Sequence, residues 1–213
     1  MTSVAIIDYG MGNLHSIGKA VEHVAGDLRV SITADPAVIR RADRIIFPGV
    51  GAIRDCMHEL KRLGLDEVVR EVAGRKPLLG VCLGMQLLLE FSEENGGTPA
   101  LGVFAGQVRR FPDGLRSTSG ERLKIPHMGW NQVHQHAHPL WAGIPQDSRF
   151  YFVHSYYAQP ARTQDSAGTT DYGIEFTSAV ARDGIFAVQF HPEKSQHAGL
   201  QLLANFVNWN GQD

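Results

Sequence analysis

The chain is poor in cysteine. Two thiols, Cys56 and Cys82, in 213 residues make no disulfide framework, and free thiols suit a reducing compartment. Neither sign of charge is in excess: 20 Lys and Arg stand against 22 Asp and Glu, for a net charge of −2. With no basic stripe either, the sequence argues against a nucleic-acid partner. No apolar run approaches the roughly 20 residues of a membrane-spanning helix. The opening segment Met1-Thr-Ser-Val-Ala-Ile-Ile-Asp8 has no basic start and is interrupted by Asp8, so it reads as a first strand rather than a signal peptide. Repeats, linkers and low-complexity tracts are also missing. These absences predict a soluble cytoplasmic protein. The 43% of residues that are hydrophobic are enough, at this length, for one domain over residues 1–213 with a substantial core.

The first half alternates short apolar strands with helical spacing. Val4 to Asp8, Leu28 to Thr33, Arg44 to Phe47 and Leu78 to Val81 read as strands, and Ser16 to Val24, Ile53 to Leu63 and Leu83 to Phe91 as helices. That pattern predicts an α/β fold with a mostly parallel central sheet flanked by helices and with functional loops at the carboxyl ends of its strands. The second half is strand-rich: Gly106 to Phe111, Trp130 to His134, Arg149 to Tyr156, Tyr172 to Phe176 and Ile185 to Phe190, before a closing helix near Gly199 to Trp209. Pro112 to Gly120, rich in Gly and Ser, reads as an exposed loop.

Within this frame Gly80-Val-Cys-Leu-Gly-Met-Gln86 stands out. It puts Cys82 on a strand-to-helix turn between two glycines, a geometry that lifts one side chain above the sheet edge and aims the first helical N–H groups at its target. A helix start also favours thiolate over thiol, lowering a cysteine pKa from its ordinary value of about 8.5. A buried structural cysteine is the plainer alternative. Against it stands His191-Pro-Glu193, which follows the last strand. In an extended chain positions two apart point the same way, so Glu193 can orient His191 while the other ring nitrogen serves Cys82. Nucleophile, base and orienter are recognised by role and geometry.

Gly80-Val-Cys-Leu-Gly-Met-Gln86 and Gln189-Phe-His-Pro-Glu-Lys-Ser195 resemble the nucleophile and His/Glu motifs of the class I glutamine amidotransferases. Asp8-Tyr-Gly-Met-Gly-Asn-Leu14, Pro48-Gly-Val-Gly51, Pro126-His-Met-Gly-Trp-Asn131 and Phe152-Val-His-Ser-Tyr-Tyr157 extend the resemblance from about Val4 to Phe206. They narrow it to the glutaminase subunits of histidine biosynthesis. The resemblance implies glutamine as substrate and Cys82, His191 and Glu193 as catalytic groups; no cofactor or metal is expected. It implies an oxyanion loop at Gly49, Val50 and Gly51, working with the N–H of Leu83. Ile53 and Cys56 depart from the aromatic and small residues expected beside that loop. Gln86, Ser155 and Tyr156 are implied as substrate contacts.

Free ammonia in neutral water is mostly protonated and no longer nucleophilic, so a glutaminase that feeds a synthesis must pass it on directly. The resemblance accordingly implies a heterodimer partner, a cyclase subunit built as a (β/α)8 barrel, with Asn13, Met128, Trp130 and Tyr151 near the interface. On sequence alone a core tryptophan is an equal account of Trp130. His134, His136 and His138 alternate and could share a strand face, but metal sites need further ligands and a formed outer shell, so a solvent-facing edge is the expectation. Three other functions stay open: a related glutaminase serving anthranilate or aminodeoxychorismate synthesis, a cysteine peptidase or esterase, and a non-catalytic binding module.

Overall fold

The computed structural model describes residues 2–212. In chain order its elements are β1 (Ser3–Ile7), α1 (Leu14–Ala25), β2 (Arg29–Thr33), α2 (Pro36–Arg41), β3 (Arg44–Gly49), α3 (Ile53–Arg62), α4 (Leu65–Val72), β4 (Leu78–Cys82) and α5 (Leu83–Leu87). There follow β5 (Phe91–Ser92), β6 (Thr98–Pro99), β7 (Gly106–Arg110), β8 (His127–Gln132), β9 (His134–Gln135), β10 (Arg149–His154) and β11 (Tyr156–Pro160). β12 (Ser166–Asp171), β13 (Glu175–Arg182), β14 (Ile185–Val188) and α6 (Gln196–Asn208) complete the chain.

The main sheet runs β2-β1-β3-β4-β14-β13-β11-β7-β5-β6. From β2 to β14 every pair is parallel, and from β14 the sheet continues antiparallel through β13, β11 and β7. Alternation along each strand sends side chains to opposite faces. On β1, Ala5 and Ile7 join the core under α2, α3 and α4, whereas Val4 and Ile6 join the one under α1 and α6. The inner parallel strands β1, β3, β4 and β14 are buried on both faces, which is why they read as nearly continuous apolar runs; the edge strand β2 is half-exposed. β8 and β10 form a separate antiparallel ribbon.

Several elements differ from expectation. The helix after Cys82 stops at Leu87 instead of Phe91 because the next turn has other partners: the carbonyls of Leu87, Leu88 and Leu89 accept from Leu101, Phe104 and Gly102. Tyr172 to Ile174 is the turn of the β12–β13 hairpin, with Gly173 at φ 74°. The segment Arg149 to Tyr156 is two strands, broken at Ser155. β8 starts at His127, and the ladder is interrupted at Val133, a fully buried residue. α2 and α4 have no counterpart among the expected helices.

Candidate active site

β4 ends at Cys82, which takes the elbow itself with φ 56° and ψ −113°. A non-glycine residue held there costs about 1–3 kcal/mol, so its surroundings must over-determine it. Its two glycine neighbours allow that. A Cβ at Gly84 would lie 1.9 Å from the Phe47 carbonyl oxygen, and one at Gly80 would lie 2.7 Å from the Ala187 Cβ. β3 and β14 can therefore close on the elbow from both sides.

β14 delivers the second group. Val188 pairs with Val81, and the chain continues through buried Gln189 and Phe190 to His191. The His191 N–H donates to the Tyr151 carbonyl at 2.9 Å. Ser195 donates from Oγ to the His191 carbonyl at 2.6 Å and accepts from the Tyr151 N–H at 2.9 Å. Pro192–Lys194 then forms a single 3-10 turn, not the extended segment expected, and this turn folds Glu193 back so that its Oε1 lies 2.9 Å from His191 Nδ1. The two side chains are 3% and 2% exposed. Nε2 of His191 has no hydrogen-bond partner among the described residues. Burial opposes charge on this ring, but Cys82 and Glu193 outweigh it and raise the pKa from 6.5 to about 10. The arrangement can thus keep a protonated imidazole, a proton donor, on the cavity beside Cys82.

Cys82 and His191 open onto a cavity of about 350 Å³, within the range of about 300–1,000 Å³ usual for small-molecule sites. Val50, Gly51, Leu83, Gln86, Ser155 and Tyr156 line it too, so with Cys82 and His191 residues from four separate segments meet there. Gly49 sits just behind, opposite Cys82 in the β3–β4 ladder. The loop it begins is held by two side chains that the motif alone does not assign: Tyr9 donates from its hydroxyl to the Pro48 carbonyl at 3.0 Å, and the Cys56 thiol donates to the Val50 carbonyl at 3.5 Å. Burial pushes the Cys56 thiol up to about 11, so it stays protonated and able to donate. Gln86 spends both amide hydrogens inside the protein, on the Tyr156 carbonyl at 3.0 Å and Gln189 Oε1 at 2.9 Å. What it can offer a ligand is oxygen.

Two further lining residues escaped the sequence analysis. Glu94 follows β5 and accepts from the Ile53 N–H at 2.8 Å, which fixes a carboxylate on the cavity wall. Lys194 brings a cation to the same wall. Glu94 lies in no segment whose spacing suggests chemistry, and Lys194, although inside the motif that carries His191 and Glu193, has no role assigned by it; the fold puts both on the wall.

Met128, Trp130 and Tyr151 share the outer face of the β8–β10 ribbon, with Trp130 opposite Tyr151 and their rings 6.2 Å apart. Met128 is 62% and Trp130 40% exposed, so Trp130 is no core tryptophan. Asn13 stands apart at the start of α1, where its carbonyl accepts from Ile17. The three alternating histidines do not share a strand face. β9 ends at Gln135, and His138 turns to accept from the Leu140 N–H and to pack on Phe186 and Trp209. Among the described residues no cluster of three or more His, Cys, Asp and Glu side chains is arranged to hold a metal ion, and no helix is long and apolar enough to cross a membrane.

Residues 5–209 match the family profile described as glutamine amidotransferase class-I. The chain is 63% identical, over 98% of its length and 97% of the relative's, to imidazole glycerol phosphate synthase subunit HisH of Methylococcus capsulatus. It is 63% identical, over 99% of both chains, to the protein of the same name from Nitrosococcus oceani. Among solved structures, one described as a glutamine amidotransferase superposes with a TM-score of 0.72 over 97% of this chain and 99% of that one; at 15% identity it speaks to the fold alone.

Proposed function

The chain belongs to the class I glutamine amidotransferase family, and from that premise we propose how its residues act as the glutaminase subunit of an imidazole glycerol phosphate synthase. The Cys82 thiolate attacks the side-chain amide carbon of glutamine and forms a tetrahedral oxyanion. Collapse expels ammonia with a proton from His191 and leaves a γ-glutamyl thioester on Cys82. His191, now neutral, takes a proton from water as the oxygen attacks the thioester; glutamate leaves and the thiolate returns beside an imidazolium. Glu193 holds the ring with Nδ1 protonated and supports its charge. The observation that carries this reading is the His191–Glu193 contact of 2.9 Å on the cavity that Cys82 opens into.

The N–H of Leu83 and an N–H of the Gly49–Val50–Gly51 loop are proposed as oxyanion donors, each worth about 2.7–4 kcal/mol in such sites. Ser155 and Tyr156 would receive the α-carboxylate of glutamine through their backbone, and Glu94 with the Gln86 oxygen would receive its α-ammonium group. The whole chain would act as one domain, a reading supported by a sheet that joins β2 near one end of the chain to β14 near the other. Two free cysteines support a cytosolic setting. A separate cyclase subunit with a (β/α)8 barrel would take the ammonia and release imidazole glycerol phosphate and an aminoimidazole carboxamide ribotide. The exposed Met128–Trp130–Tyr151 face supports docking there.

The test is glutamate release from glutamine by the purified chain, alone and with the cyclase subunit carrying its nucleotide ligand. Strong stimulation by the cyclase, abolished in Cys82→Ala while glutamine still binds, is the expected result. Undiminished turnover in Cys82→Ala would overturn the mechanism, and indifference to the cyclase would overturn the partner assignment.

A further inference from the structure

Beneath the outer face of the ribbon lie two histidines with no part in the chemistry above. His127 of β8 and His154 of β10 are 3% and 6% exposed and are register partners. Their polar contacts leave one assignment of protons. His154 Nδ1 lies 2.8 Å from the Tyr156 carbonyl, which can only accept, so that nitrogen carries hydrogen. In a neutral ring Nε2 is then bare, and it lies 2.9 Å from His127 Nδ1, which must donate. His127 Nε2 is bare in turn and faces the Asn131 amide nitrogen at 3.3 Å. That amide also donates to the Asp171 carbonyl at 2.8 Å, and its oxygen accepts from the Gln132 N–H at 2.8 Å, which settles which way it points. All four ring nitrogens are engaged in one directed chain.

We propose that His127 and His154, locked as Nδ1–H tautomers, are positioning residues for glutamine binding, because they hold the Tyr156 carbonyl and with it the Ser155–Tyr156 bend on the cavity wall. The inference rests on the glutaminase reading of that cavity. The carbonyl in question has a second partner, the Gln86 amide at 3.0 Å, and Gln86 continues to Gln189, whose amide nitrogen is 3.9 Å from Cys82 Sγ. One carbonyl therefore ties the bend to both the ribbon and the nucleophile's surroundings.

Packing alone does not account for imidazoles here. His127 stacks between Phe152 and Tyr172, with centroids 4.8 and 3.9 Å away, and a benzene ring would fill that slot without the cost of burying polar nitrogens. What imidazole adds is a donor and an acceptor at fixed angles on a rigid ring. Burial lowers His127 to about 4. Burial lowers His154 to about 3, with the charges of His127 and His191 pushing the same way against the Tyr156 hydrogen bond. Both rings stay neutral near pH 7, as the chain requires.

The experiment measures steady-state glutamine hydrolysis by the cyclase-bound chain for wild type, His154→Phe, His154→Asn, His127→Phe and the double Phe variant, together with long-range ¹⁵N–¹H spectra of the wild-type imidazoles. His154→Phe removes the donor to Tyr156 and should raise KM for glutamine roughly tenfold, with kcat much less affected. His154→Asn carries an N–H near the position of Nδ1 and should restore most of that loss. His127→Phe leaves the His154 tautomer without its enforcing donor, so it should show a smaller KM rise that does not add to that of His154→Phe. The spectra should show both rings neutral and protonated on Nδ1. His154→Gln, whose amide reaches the position of Nε2 and not Nδ1, should share the KM defect and serves if the Phe variant does not fold. An unmoved KM in His154→Phe, equal damage in His154→Asn, additive effects in the double variant, or an Nε2–H tautomer at His154 would each overturn the proposal while wild-type turnover is normal. A wild-type chain with no Cys82-dependent glutamine hydrolysis would remove the glutaminase reading, and this inference with it.

Discussion

Gly49 and Cys82 are register partners on the last rung of the β3–β4 ladder, so the loop expected to supply an oxyanion donor and the expected nucleophile are fixed to each other by backbone geometry. The fit leaves no room for side chains. A Cβ at Gly49 would lie 2.6 Å from the Tyr9 hydroxyl, and one at Gly84 would meet the Phe47 carbonyl at 1.9 Å. Backbone cannot yield as a flexible side-chain end can, so Gly84→Ala should cost about 1–3 kcal/mol or more and lower glutamine turnover at least tenfold by separating loop from elbow. Thermal melts and steady-state kinetics of Gly84→Ala check both. A stable variant with wild-type kcat would show that this rung does not position the nucleophile.

Burial disfavours the His191 imidazolium, yet Cys82 and Glu193 raise the pKa from 6.5 to about 10 in the folded chain. A basic group raised in this way stabilises the fold fully below its unfolded pKa, and that contribution is lost as pH rises through the folded value. Between pH 7 and 10 the wild-type melting temperature should therefore fall more than that of His191→Asn. The ring, followed by NMR, should titrate well above 6.5 and move down in Cys82→Ala, where one of the two favourable partners is gone. A wild-type midpoint at or below 6.5 would contradict the ion-pair arrangement.

Cys82 and His191 are legible in the sequence because Cys82 ends a buried apolar strand and His191 follows one by three residues, and strand ends can be read from hydrophobic runs alone. The Glu193 contact is legible in its outcome but not its route: two-residue spacing suggests an extended chain, whereas Pro192 starts a 3-10 turn. α4 carries a readable pattern, Leu65, Val68, Val69 and Val72, all buried, and goes unread because Gly64 lies so close to the end of α3. The stop of α5 is not readable at all. It depends on residues 101–104 capturing carbonyls that a longer helix would use. Glu94 and the role of Tyr9 are hidden for the same reason, since both act across the fold on backbone groups whose need for a partner exists only once the sheet is built.

On the ribbon, alternation puts Phe150, Phe152 and His154 inward and leaves Met128, Trp130 and Tyr151 outward. Val153, opposite Met128, also lines the cavity that Cys82 opens onto, so a partner on this face would touch that wall. Trp130→Ala should leave the melting temperature almost unchanged, because the side chain is 40% exposed and belongs to neither core cluster. It should weaken cyclase binding by about 2 kcal/mol or more, roughly thirtyfold, as aromatic anchors at interfaces do. Titration calorimetry with the cyclase subunit decides it; unchanged affinity would place the docking surface elsewhere.

Glu94 is fixed on the cavity wall by the Ile53 N–H, which starts the helix just after the Gly49–Gly51 loop, so one oxygen is committed to the scaffold and the other is available to a ligand. A charged hydrogen bond of this kind contributes about 1.5–3 kcal/mol. If Glu94 receives the α-ammonium group, Glu94→Gln keeps the oxygen that Ile53 needs but loses the charge. KM for glutamine should then rise about tenfold or more, while kcat changes little because the reacting amide lies at the other end of the substrate. γ-Glutamyl amides without the α-amino group supply the control: wild type should turn them over poorly, and Glu94→Gln should do so no worse than wild type. A Glu94→Gln variant that discriminates against the amine-less substrate as strongly as wild type would assign the ammonium group to another acceptor, with the Gln86 oxygen the remaining candidate on that wall.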